Sequence, residues 1–356
     1  MEVRTGPIAH GGHVVARHEG RVIFVRHALP DETVRIEVTE DSGRFLRADA
    51  VEVLEASPFR VEAPCPLAHA GGCGGCDFQH VALDEQRRLK AAVVREQLQR
   101  LAGIDWDVVC EAVPGDQNGL RWRTRMQYVD VDGRHGLRKH RSHEAVIVED
   151  CLLAHPEART DETGVIVEEV ACAGRTHHFA VEADGFWQVH PGAPSALVGA
   201  VLDQLRPQPG ESAVDLYSGV GLFARFLTDE VGERGSVLAV ESDRAASAHA
   251  KGNLGRSAKV VRDRVDRWVQ RSAPDHVDLV VLDPPRAGAK RAVVAGVAAM
   301  RPRAVSYVAC DPAALARDTA YFRDEGYALT QLRCFDLFPM THHVECVALF
   351  ESIGVS

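Results

Sequence analysis

The chain has 356 residues, 46% of them hydrophobic, enough for two or three domains with their own cores. Its formal net charge of -10 excludes a uniformly basic surface but not a local cationic patch that meets nucleic acid. No run of about 18 apolar residues occurs and none follows Met1-Glu2-Val3-Arg4, so neither a membrane span nor a secretory leader is expected, and the cytoplasm is the expected compartment. Nine cysteines, an odd number with three crowded between residues 65 and 76, read as metal or catalytic thiols rather than a disulfide framework.

Up to about residue 55, turns at Gly11-Gly12, Glu19-Gly20, Leu29-Pro30-Asp31 and Asp41-Ser42-Gly43 separate the strand-like runs Val14-Val15, Val22-Ile23-Phe24-Val25 and Val34-Arg35-Ile36-Glu37-Val38. That rhythm predicts a small barrel. Ile8-Ala9-His10-Gly11-Gly12 with Leu29-Pro30-Asp31-Glu32 resembles a TRAM domain, an RNA-binding module fused to RNA-modifying enzymes. The Pro-Gly-Glu usual in that module is Pro-Asp-Glu here.

Cys65 is followed by a Gly-rich stretch bearing Cys73 and Cys76, where glycines let the backbone wrap a metal centre and the close pair can chelate it. A fourth ligand is needed, and Cys151, in the acidic Glu149-Asp150-Cys151-Leu152, is the candidate. A zinc site stays open beside the four-iron cluster chosen here, whose role would be structural or RNA-binding rather than radical-generating. Leu89, Val93, Val94, Leu98 and Leu101 recur at helical spacing with Gly103 as a stop, and Arg87, Arg88, Lys90, Arg95 and Arg100 on the other faces read as a solvated face or an RNA contact. Residues 121–143 hold seven Lys or Arg against two acids, in a predicted hairpin turning at Asp132-Gly133. Trp122 and Tyr128 would stack on bases there, although a surface hairpin with incidental charge is the competing reading.

From about residue 200, strands and helices alternate as in a doubly wound parallel sheet. Ala213-Val214-Asp215-Leu216-Tyr217 reads as its first strand, and Gly219 and Gly221 in the following turn let the backbone approach a ligand. A second strand ends in Glu241, placed to accept both hydroxyls of a ribose. A third ends at Asp283-Pro284-Pro285-Arg286, whose rigid loop can aim Asp283 at a cofactor or a flat base. The full three-glycine dinucleotide fingerprint is missing, and the order of these features favours S-adenosylmethionine over a nicotinamide.

Across nearly its whole length the chain resembles the RNA uracil-5-methyltransferase family, in the branch with a TRAM domain and an iron-sulfur cluster. The matching pieces are the TRAM-like start, the cysteine cluster with Cys151, Phe186-Trp187-Gln188-Val189-His190, Asp215-Leu216-Tyr217, Asp283-Pro284-Pro285-Arg286, Cys310-Asp311-Pro312 and Thr341-His342-His343-Val344-Glu345. The resemblance implies an α/β fold in three parts: a TRAM/OB-like β-barrel (1–56), a central α+β domain with the iron-sulfur site (57–195) and a Rossmann-like class I methyltransferase domain (196–356). It further implies Gln188, Tyr217, Glu241 and Asp283 as donor contacts, Cys310 as nucleophile and Glu345 as base. Cys65, Cys73, Cys76 and Cys151 would hold a 4Fe-4S cluster. The substrate would be a structured RNA, ribosomal rather than transfer RNA by analogy with the cluster-bearing branch, and a monomer is expected. The pattern departs at Trp187, at His190 in place of Asn, at Ser218 in place of Cys, and in the longer first cysteine gap. An RNA-binding iron-sulfur protein without catalysis and a methyltransferase with another acceptor are the rival readings.

Overall fold

The computed structural model describes residues 1–116, 118–160 and 162–353. It divides into two compact units, one comprising Met1–Glu96, Asp116–Thr160 and Asp336–Val344, the other Gln97–Gly115, Asp161–Phe335 and Glu345–Ser356.

In the first unit, β1 (Glu2–Ala9), β2 (His13–His18), β3 (Arg21–Arg26), β4 (Thr33–Asp41) and β5 (Phe45–Glu55) close a barrel in the order β1-β2-β3-β5-β4. Alternation drives Val14, Ile23, Val25 and Val34 into its fully buried core. Asp31 sits at φ +64°, so the turn keeps the left-handed conformation that glycine takes without strain, with Asp tolerated there. Next to it, buried Glu32 receives Arg60 through Nε at 2.6 Å and Nη2 at 2.7 Å, and accepts the Leu29 N–H at 2.8 Å.

Helix α1 (Leu83–Gln97) follows, extended by a π-helical turn at Leu98–Ala102 and stopped by Gly103 at φ +68°. Leu89, Val93, Val94 and Leu98 of its apolar stripe are buried as the spacing predicts, whereas Leu101 is exposed. Lys90 departs from expectation. It is buried rather than solvated, because its ammonium pairs with equally buried Asp336 and donates to the Phe338 carbonyl at 3.0 Å. Lys90→Met is therefore expected to destabilise the protein by about 3 kcal/mol, since buried Asp336 would lose its nearer cation and keep only Arg87, 3.6 Å away. Urea denaturation checks this, and a loss under about 1 kcal/mol would show that Asp336 has found other compensation.

After β6 (Cys110–Glu111), which belongs to the second unit, the chain returns to the first. It forms β7 (Arg123–Arg125), β8 (Val129–Val131), β9 (Arg134–Arg138), β10 (Ala145–Ile147) and β11 (Ala154–Arg159). The hairpin at Asp132-Gly133 joins β8 to β9. Trp122 is not available to bases: it is 3% exposed and meets Phe338 edge-on at 5.9 Å. Much of the cationic surplus is also matched, by Arg121–Asp150 at 2.5 Å, Lys139–Glu144 at 2.7 Å and Arg141–Glu40 at 3.6 Å.

Beyond β6, the second unit continues with the hairpin β12 (Val165–Cys172) and β13 (Arg175–Glu182), then α2 (Ala193–Leu205). There follow β14 (Ser212–Leu216), α3 (Leu222–Val231), β15 (Ser236–Glu241), α4 (Arg244–Leu254), β16 (Lys259–Arg262), α5 (Val265–Arg271), β17 (Leu279–Leu282), α6 (Lys290–Ala299), β18 (Ala304–Ala309), α7 (Pro312–Asp324), β19 (Tyr327–Phe335) and β20 (Glu345–Ser352). One eight-stranded sheet runs β16-β15-β14-β17-β18-β20-β19-β6. Strands β14 to β18 are mutually parallel, and β20 is antiparallel to both β18 and β19. Strand order reverses about β14, where an open α/β sheet leaves a crevice at its carboxyl edge.

Candidate active site

Four parallel neighbours, β15, β14, β17 and β18, end in or just before Glu241, Tyr217, Asp283 and Cys310. All four residues therefore stand on one edge of one sheet. Around the first turn, Tyr217 at φ +62°, Gly219 at +53° and Gly221 at +93° hold a tight backbone arch. Glu241 spans it, accepting the Gly219 N–H at 2.9 Å and the Asp243 N–H at 2.6 Å. Beneath it, buried Asp215 accepts the Ala224 N–H at 2.9 Å, and burial pushes its carboxyl up to about 8. Gln188 lies half-buried in the loop that leads to α2.

The antiparallel pairing of β18 with β20 runs from Ala304 opposite Glu351 to Ala309 opposite Cys346. The ladder ends there, and Cys310, the next residue, lies near enough to Glu345 for that carboxyl to act on its thiol. Burial pushes the Cys310 thiol up to about 12, with Glu345 and Asp283 adding to the shift and Arg286 opposing it. Burial, then Asp283, holds the Glu345 carboxyl well above its usual range, again against Arg286. Asp283 is itself pushed up to about 7 by burial. Burial thus disfavours the charged form of both the thiol and the carboxyl, with exposed Arg286 as the cation that favours charging both.

In the first unit, Cys65, Cys73, Cys76 and Cys151 line one cavity of about 450 Å³ together with Arg123, Tyr128 and Lys139. Glycine is needed to wrap it: a Cβ on Gly72 would strike the Leu67 carbonyl, and one on Gly74 the His140 backbone. Cys73 receives the Gly75 N–H and Cys76 the Gln79 amide, each at 3.4 Å. Burial still pushes the Cys76 thiol up to about 12. Among the described residues, no three His, Cys, Asp or Glu side chains converge closely enough to hold a single metal ion.

Residues 1–51 match the TRAM domain model, and residues 273–353, which span the Asp283, Cys310 and Glu345 loops, match the tRNA (Uracil-5-)-methyltransferase model. An uncharacterized RNA methyltransferase of Streptomyces avermitilis is 45% identical, over 98% of each chain. The chain belongs to the uracil-5 RNA methyltransferase family. The methyltransferase is also 28% identical to the Shewanella piezotolerans 23S rRNA (uracil(1939)-C(5))-methyltransferase RlmD, over 99% of this chain and 95% of that one. Its fold matches the Pyrococcus abyssi tRNA (uracil-54, C5)-methyltransferase crystallised with S-adenosyl-L-homocysteine, at a TM-score of 0.71 and 19% identity, over 98% and 99% of the two chains.

Two departures from the family pattern have a structural reading in the methyltransferase. His190 is 1% exposed and its Nδ1 accepts the Gly192 N–H at 3.0 Å, shaping the entry to α2. Ser218 works through its backbone, donating to Val240 at 3.1 Å and accepting from Gly221 at 2.8 Å, so its side chain can differ without altering the turn. Sequence reading missed Asn253 on α4, whose amide donates to the carbonyls of Val220 and Ala180 and accepts the Ala180 N–H, tying the glycine turn to β13. No local pattern marks it, because its partners lie far away in sequence.

Proposed function

We propose that this methyltransferase transfers a methyl group from S-adenosylmethionine to C5 of a uracil in structured RNA, with ribosomal RNA favoured over transfer RNA. The observation that supports the reading is the nearness of Cys310, just past the end of β18, to Glu345 at the start of β20, on the sheet edge that also bears Tyr217, Glu241 and Asp283. On this reading, with the family resemblance, Gln188, Tyr217, Gly219, Gly221, Glu241 and Asp283 would hold the donor, and Cys310 and Glu345 would act on the base. Relatives support the choice of RNA, RlmD by name and the archaeal transfer-RNA enzyme by fold.

C5 of uracil is too weakly nucleophilic to take a methyl group unaided. The Cys310 sulfur adds to C6, its proton leaving to solvent, and the ring becomes an enolate with electron density at C5. The donor supplies an electrophilic methyl group to that carbon. Glu345, as carboxylate, then takes the C5 proton, and the electron pair left behind expels Cys310 as C5=C6 re-forms. A uracil inside a duplex cannot meet Cys310, so the target lies in a loop or is flipped out.

The working division is a TRAM-like barrel (1–56), a central iron-sulfur and RNA-binding domain (57–195) and the catalytic domain (196–356). Four thiols lining one cavity of about 450 Å³ are the number that a four-iron cluster takes, one cysteine per iron. When bound, that group would cross-link segments far apart in sequence. Anaerobically purified protein is expected to carry iron and acid-labile sulfide in equal amounts, and Cys151→Ser to lose most of both. Stoichiometric zinc without sulfide would reject the cluster.

Separate incubations with unmodified ribosomal and transfer RNA and a labelled donor test the acceptor. Label confined to ribosomal RNA supports the favoured reading; label confined to transfer RNA would reverse it.

A further inference from the structure

Asp318, on α7, is fully buried and lies outside every motif that drew attention in the sequence. Its Oδ2 accepts the Tyr307 hydroxyl at 2.7 Å, the Ala289 N–H at 2.7 Å and the Lys290 N–H at 3.2 Å. Its Oδ1 accepts Arg317 Nε at 3.3 Å, while Arg317 Nη2 donates to the Ala287 carbonyl at 2.7 Å. The segment Ala287–Lys290, directly after Asp283-Pro284-Pro285-Arg286, therefore hangs from α7. Helix α7 itself begins two residues after Cys310, capped by Asp311, whose side chain accepts the Ala314 N–H at 2.8 Å.

The surrounding backbone is built for this approach. Gly288 lies at φ +73°, and a Cβ there would fall 2.5 Å from Asp318 Oδ2 and 2.7 Å from Arg317 Nη2. Lys290 holds φ +71°, a conformation that a non-glycine residue keeps only when its surroundings impose it. Helix α6 starts with Ala289 as its N-cap, which has no side-chain acceptor, so Asp318 caps α6 from another helix. Tyr307 closes the set: it lies on β18, three residues before Cys310, and its hydroxyl also accepts the Ala289 N–H at 3.1 Å.

We infer that Asp318 is a positioning residue for methyl transfer, fixing the spacing between the donor loop that begins at Asp283 and the strand end and helix that present Cys310. The inference rests on the functional reading above. A nucleophile and a donor held by different loops must be brought into one near-attack geometry, and an error of about 1 Å can cost about 100-fold in rate. One carboxylate that receives donors from both sides removes that freedom.

The test compares wild type with Asp318→Asn, Gly288→Ala and Tyr307→Phe, well below each variant's unfolding midpoint. Asp318→Asn and Gly288→Ala are expected to lower single-turnover methyl transfer at saturating RNA by about 10–100-fold and to weaken S-adenosylmethionine binding, with RNA affinity unchanged. Tyr307→Phe, which keeps the carboxylate, should lose far less. Hydrogen exchange at 287–290 should rise in the first two variants while exchange in β17 and β18 stays slow. A cap that only stabilises would lower the midpoint and leave donor affinity and rate per folded molecule untouched, and that result would overturn the inference. If wild type itself methylates no RNA, the functional reading fails separately. Exchange at 287–290, with the rate of Cys310 alkylation by iodoacetamide, then decides about Asp318: both unchanged in Asp318→Asn would overturn the coupling, and both changed would support it.

Discussion

Cys310→Ala is expected to reduce methyl transfer to background, a loss of at least about 10⁴-fold, while S-adenosylmethionine still binds. Without the sulfur no enolate forms, so no remaining group makes C5 nucleophilic. Donor affinity should survive because the proposed donor contacts Tyr217, Glu241 and Asp283 stand at the ends of β14, β15 and β17, apart from the thiol. Cys334→Ala and Cys346→Ala are the controls. Those thiols lie 3.3 Å apart, both wholly buried between β19 and β20, and should affect stability rather than chemistry. Rapid-quench assays with labelled donor check the rates, and transfer by Cys310→Ala within about tenfold of wild type would remove Cys310 as nucleophile.

Glu345→Gln should instead stop the reaction after the methyl group has arrived. Turnover is expected to fall by about 10²–10⁴-fold while a covalent protein–RNA adduct accumulates, visible as a denaturant-stable band. The pH dependence follows from the two raised groups. Glu345 must be ionised to take the C5 proton, and its carboxyl is held above the usual range by burial and Asp283, so wild-type turnover should fall as pH drops through that raised value. Cys310, pushed up to about 12, also gains thiolate as pH rises, so both groups slope the same way. In Glu345→Gln the contribution of the acid disappears, and adduct formation should keep only the rise due to the thiol. No adduct in a variant that still binds RNA would remove Glu345 from the step.

What the sequence made legible was local. Gly103 ends α1 where the periodicity stops, and β14, β17 and β18 are apolar-rich runs closed by Gly or Pro turns, because those signals act within a few residues. Glycine spacing likewise foretold a tight wrap around the cysteines, and Gly72 and Gly74 are the positions where a side chain does not fit. Lys90 and Trp122 read wrongly for a common reason. Lys90 is buried by Asp336, and Trp122 is covered by Phe338, residues supplied from more than two hundred positions away, and no period records such a partner. Asp318 was silent because a capping acid is recognised by its place before a helix, whereas this one caps α6 from the middle of α7. The approach of Cys310 to Glu345 likewise depends on the pairing of β18 with β20, which sequence does not display.

The central claim, methyl transfer to uracil C5, is tested most directly by mass spectrometry of nucleosides from unmodified RNA incubated with purified protein and isotope-labelled S-adenosylmethionine. Label appearing in 5-methyluridine is the expected result. Label in any other nucleoside, or none from protein that binds both donor and RNA, would contradict it.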